Sequence, residues 1–99
     1  MANQPAPTDK ASFDEAQELA QKFIDLANEL KNQGRSPQAI SGGLMFASCI
    51  YATYSVAGND GYLEPTGVDK VADVYRRNLA EVQRRKKLMR EQKESPAQE

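Results

Sequence analysis

The chain has no histidine, no tryptophan and a single cysteine, Cys49, in 99 residues. Without histidine it lacks the commonest general base, the commonest metal ligand and the side chain that titrates near neutrality. A lone cysteine closes no internal disulfide, and no imidazole is present to activate it as a nucleophile. Cys49 is therefore read as a small buried hydrophobe. The opening Met1-Ala2-Asn3-Gln4-Pro5 has neither a basic n-region nor an apolar h-region, so no secretory signal is expected and the predicted setting is cytoplasmic. No catalytic, cofactor-binding or metal signature is present. These absences predict a protein that is not an enzyme and carries no cofactor.

Charge is missing as well, but only from one stretch. From Ser36 to Asn59 there is no charged residue, whereas the segments on both sides are dense with charge. This stretch predicts a helix from about Pro37 to Ala57, with Ser36 as its hydroxyl cap and Pro37 at the first helical position, where a missing N–H costs nothing. Apolar side chains cover most of its circumference, and Ser41, Ser48 and Ser55, seven apart, form its one polar seam. Ala39, Gly43 and Ala47 make a stripe of small residues. The pair Gly42-Gly43 marks either a close backbone approach or a slightly later helical start. About 20 apolar residues can also span a bilayer, but the serines, tyrosines, glycines and Thr53 predict a buried helix with no membrane insertion.

An amphipathic helix is predicted on either side. Ser12-Phe13-Asp14-Glu15 fits a capping box and starts the first near Phe13, with Leu19, Phe23, Ile24 and Leu30 on its apolar face and Gly34 as its stop. Gly58-Asn59-Asp60-Gly61 is turn chemistry, and Pro65 is read as barring a helix from the loop. Thr66 then caps a third helix from about Gly67, whose apolar line Val68, Val71, Ala72, Tyr75, Leu79 and Val82 turns ragged beyond Val82. Residues 1–11 and 94–99 are expected to be disordered tails around one helical domain over 12–93. The predicted fold is all-α, a three-helix bundle with a buried central helix and a long, overhanging C-terminal helix. Its expected core includes Phe23, Leu30, Leu44, Ile50, Val71 and Leu79.

Net charge is −1 but uneven: residues 1–75 hold 5 Lys or Arg against 10 Asp or Glu, and residues 76–99 hold 8 against 4. The basic block Arg84, Arg85, Lys86 and Lys87, extended by Arg76, Arg77, Arg90 and Lys93, is the candidate polyanion-binding surface. No aromatic residue alternates with these cations to stack on bases. They also suit the negative pole of a helix, which makes a solvated helix end the plainer reading. Asn59-Asp60-Gly61-Tyr62-Leu63-Glu64 resembles half a calcium loop, but aligning Gly61 with its glycine leaves Val56, Gly58 and Gly67 at ligand positions, so an ordinary turn is expected. Tyr51, Tyr54, Tyr62 and Tyr75 are read as half-buried core, with a small ligand pocket as the alternative. The one-turn pairs Asp14/Glu18 and Asp25/Glu29 are read as an exposed acidic face.

Phe23-Ile24-Asp25-Leu26-Ala27-Asn28-Glu29 and Ser41-Gly42-Gly43-Leu44-Met45-Phe46-Ala47-Ser48 resemble a family of small, proteobacterial, helical proteins classed only as a domain of unknown function. The resemblance implies a bacterial, cytoplasmic setting and adds no activity and no site residue. The functional expectation is a non-enzymatic interaction or assembly protein, homo-oligomeric or bound to another protein. Nucleic-acid or polyanion binding through Arg76 to Lys93 is the alternative.

Overall fold

Local chemistry at three breaks divides the chain into its helices. The computed structural model describes residues 10–94, and among them it is all-α: α1 (Lys10–Asn32), α2 (Pro37–Ala57) and α3 (Pro65–Glu94), with no strand. Of the tails expected at 1–11 and 94–99, residues 1–9 and 95–99 lie outside the described residues, whereas Lys10 and Ala11 belong to α1 and Glu94 to α3.

α1 begins at Lys10, so Ser12 lies inside the helix and does not cap it. Lys10 and Ala11 are good helix formers, and their propensity carries the helix back past a serine that local sequence marks as a boundary. The far end follows its prediction. Gly34 adopts φ 100, its N–H donates to the Lys31 carbonyl at 2.9 Å, and the Arg35 N–H reaches back to the Leu30 carbonyl at 3.1 Å. Those two bonds satisfy carbonyls that the last turn would leave open.

α2 opens as expected, with the Ala39 N–H donating to Ser36 Oγ at 3.1 Å and the Ile40 N–H to the Ser36 carbonyl at 3.0 Å. Gly42 and Gly43 lie within the helix, so they do not mark a later start. A left-handed residue, Gly58 at φ 79, ends it. Gly61 must be glycine for a different reason: a Cβ there would collide with the Ala57 carbonyl oxygen and Cβ.

α3 starts two residues earlier than predicted. Pro65 opens the helix instead of being barred from it, and Thr66 is inside. The first turn has no intrahelical acceptor for its N–H groups, so proline loses nothing there, and the Val68 N–H closes the first turn onto the Glu64 carbonyl at 3.0 Å. With 30 residues against 21, α3 is roughly 45 Å long and α2 roughly 31 Å.

The chain falls into two compact units, Met1–Ser48 and Cys49–Glu99, with the division inside α2. The expected core is where structure and sequence part most clearly. None of the described residues is buried. Of the six predicted core residues, Leu30 and Val71 are half-buried, while Phe23, Leu44, Ile50 and Leu79 are 60%, 44%, 58% and 48% exposed. Within α2, Leu44, Met45, Phe46, Ile50, Tyr51, Tyr54 and Val56 are all exposed, and only Ile40, Ala52, Thr53 and Ala57 are half-buried. Periodicity identified residues that favour burial, and one chain does not supply enough surface to cover a helix that is apolar nearly all round.

Candidate functional site

The eight cations proposed for a polyanion all lie on α3, and most are already engaged. Asp73 pairs with Arg76 three residues on and with Arg77 four residues on, the latter at 3.1 Å. About two turns beyond Asp73, Glu81 takes both arginines of the next pair. Arg84 donates through Nε at 2.9 Å to one carboxylate oxygen and through Nη2 at 2.6 Å to the other, and Arg85 Nε donates to Oε2 at 2.7 Å. Arg90 Nε reaches Glu94 at 2.8 Å. Residues three and four apart are neighbours on a helix, with the acid on the N-terminal side in the Asp73 and Glu81 clusters, so the spacing itself builds these two clusters. Lys86, Lys87 and Lys93 belong to no ion pair among the described residues.

Electrostatically the Glu81 cluster is the tightest. The two hydrogen bonds from Arg84, and then the one from Arg85, hold its carboxyl down at about 2, well below the usual carboxylate range. Glu81 in return raises the Arg84 guanidinium. A phosphate approaching Arg76, Arg77, Arg84, Arg85 or Arg90 must compete with a carboxylate of the same helix. Exposed pairs of this kind are weak because water and salt screen them, so the competition is one a polyanion can win. Consecutive residues also turn by about 100° per position, which spreads Arg84 to Lys87 around the axis and leaves no single phosphate-facing line.

Asp73 and Glu81 were missed as members of this site. Their signal was present: Asp73-Val74-Tyr75-Arg76-Arg77 and Glu81-Val82-Gln83-Arg84-Arg85 repeat an acid, a valine and a pair of arginines at one spacing.

The chain matches no family model, no curated protein and no solved structure among known proteins. Residue chemistry alone therefore carries the functional reading.

The remaining candidates resolve simply. Cys49 is exposed, which corrects its reading as a buried hydrophobe. It lines an open groove of about 330 Å³ with Ile50, Thr53, Tyr54, Gly58, Asn59 and Gly61, a set that offers the thiol no histidine and no charged side chain. Tyr51 and Tyr54 stack at a tilt, with ring centroids 5.5 Å apart, and all four tyrosines are exposed where half-burial was expected. Among the described residues no group of three metal-ligating side chains comes together. In the acidic face of α1, Asp25 Oδ1 accepts from Gln21 Nε2 at 2.9 Å. α2 is long and apolar enough to cross a membrane by length and composition, and none of it is buried within the chain.

Proposed function

We propose that this is a non-enzymatic interaction or assembly protein that forms a homo-oligomer, and that its three helices complete a bundle with α2 central only when another copy covers them. The observation that carries this reading is α2, uncharged from end to end and without one buried residue. Seven large apolar or aromatic side chains lie open on this one helix, and extensive exposed apolar surface marks a site of interaction. Two hydroxyls of α2 already have acceptors within the helix. Thr53 Oγ1 donates to the Cys49 carbonyl at 2.9 Å and Ser55 Oγ to the Ala52 carbonyl at 2.9 Å, so these hydroxyls need no partner from water.

Sedimentation equilibrium at micromolar concentration tests the proposal. More than one chain per particle is expected, and a monomer across the accessible range would remove it.

A second reading is polyanion binding through Arg76, Arg77, Arg84, Arg85, Lys86, Lys87, Arg90 and Lys93. It is favoured by the three lysines outside any ion pair among the described residues. Titration of labelled DNA and RNA at low salt tests it. Affinity that falls steeply with salt, and is lost when Arg84, Arg85, Lys86 and Lys87 become glutamine, would support it. No saturable binding leaves the run as a solvated helix end.

A further inference from the structure

We infer that α3 pairs with α3 of a second copy as an antiparallel two-stranded coiled coil, along a seam that runs from Val68 to Met89. This adds a contact beyond the cover proposed for α2 and rests on the assembly reading.

Val68, Tyr75, Val82 and Met89 recur every seven residues, and Ala72, Leu79 and Lys86 fall four residues after the first three of them. Alternating steps of four and three keep all of these on one stripe of one helix, inside a single unit of the chain. The stripe covers three heptads, roughly 32 Å of helix, the length at which such a repeat marks a coiled coil. The chain itself buries none of it: Ala72 and Lys86 are exposed, and the five large apolar members are between 45% and 66% exposed. Lys86 is the single charge on the stripe and belongs to no ion pair among the described residues. It is what makes the apolar line ragged beyond Val82, and one lysine at a seam position is a device that fixes register and partner.

Complementarity along this one helix selects a second copy as the occupant and sets its direction. About an axis passing between residues 80 and 81, antiparallel copies set Leu79 against the partner's Val82, Ala72 against its Met89 and Tyr75 against its Lys86. The smallest seam residue then meets the longest apolar one, and the lone ammonium meets the face of an aromatic ring. The seam is its own complement, which is the requirement of a two-fold contact. A parallel pair would instead stack Lys86 on Lys86 inside the seam, two like charges with no partner between them. The charge of the whole helix agrees. Residues 65–81 hold 3 Lys or Arg against 3 Asp or Glu, and residues 82–94 hold 6 against 2. Antiparallel pairing lays each basic half over a neutral half, whereas parallel pairing lays basic over basic.

The test is disulfide trapping in a glutathione redox buffer, on a Cys49→Ser background because Cys49 is exposed. Ala72→Cys and Met89→Cys together should give a covalent dimer, since each new thiol faces the other position across the seam. Either change alone should give none, because like positions stand roughly 25 Å apart in the antiparallel pair. Adding Leu79→Ala and Val82→Ala to the two-cysteine chain should weaken the dimer at least about tenfold, read as the concentration at which half the chain is crosslinked. Circular dichroism of the reduced samples should show helicity kept, since alanine is the best helix former. Crosslinking by either single-cysteine chain shows a parallel pair and overturns the inference, as does a midpoint that the two alanines leave unmoved. No crosslink in the two-cysteine chain, while the Cys49→Ser chain sediments as more than one copy, overturns it and leaves assembly standing. A chain that sediments as a monomer and gives no crosslink overturns both.

Discussion

Replacing Ile50 with alanine should cost a different amount at different protein concentrations. Ile50 is 58% exposed in the single chain, so a little under half of its surface is covered. Full burial of such a side chain is worth about 1.5–3 kcal/mol, which limits the cost in a monomer to on the order of 1 kcal/mol. If assembly buries α2, the same change in the oligomer loses the whole transfer energy and leaves a cavity, for about 2–5 kcal/mol. Leu44→Ala should behave alike, starting slightly higher because Leu44 is 44% exposed. The assay is urea denaturation of wild type and variant at nanomolar and at high micromolar concentration, followed by helicity. The wild-type midpoint should rise with concentration, and the gap between wild type and Ile50→Ala should widen with it. A gap of about 1 kcal/mol or less at every concentration would refute the reasoning, because Ile50 would then be a surface residue in every state of the protein.

Other expectations concern single contacts. Ser36→Ala should destabilise α2 by about 1 kcal/mol, read by thermal denaturation, because the Ala39 N–H loses its side-chain acceptor. Gly61→Ala should destabilise the turn after α2, because a Cβ there collides with Ala57, whereas Gly43→Ala should leave the helix as stable as before or more so, because a Cβ there meets nothing; thermal denaturation of the two variants reads both signs. Glu81 has a carboxyl lowered from 4.5 to about 2, so the folded state binds its proton less readily than the unfolded chain does. Its contribution is therefore complete above about pH 4.5 and lost as pH falls toward 2. Acid titration of wild type against Glu81→Gln should show a constant stability difference above pH 4.5 that vanishes near pH 2, and a difference independent of pH would contradict the ion-pair account.

Legibility from sequence followed the range of the interactions involved. Ser36-Pro37, Gly34 and Gly58 act through their own dihedrals and nearest amides, and the helix ends they set were readable. Ser12 and Pro65 were misread because each has two local meanings. Serine with glutamate three residues on suits a cap but also sits inside a helix, and proline that breaks a helix interior opens one equally well. Apolar spacing marked Phe23, Leu44, Ile50 and Leu79 as core, and all four are exposed in the single chain, because spacing identifies side chains that favour burial and carries no information on whether the chain itself covers them. The candidate site shows the same limit at shorter range. Eight cations were legible as composition, but the roles of Asp73 and Glu81 depended on pairing each acid with the arginines three and four residues ahead.

The central claim is that α2 is covered by another copy of this chain. Sedimentation equilibrium of the 99-residue chain from about 1 to 100 μM tests it most directly, because a standard-sized, well-packed interface supports affinities in or below that range. The account predicts a mass above one chain at the upper concentrations, falling toward one chain on dilution. A single species of 11.0 kDa at every concentration would contradict it.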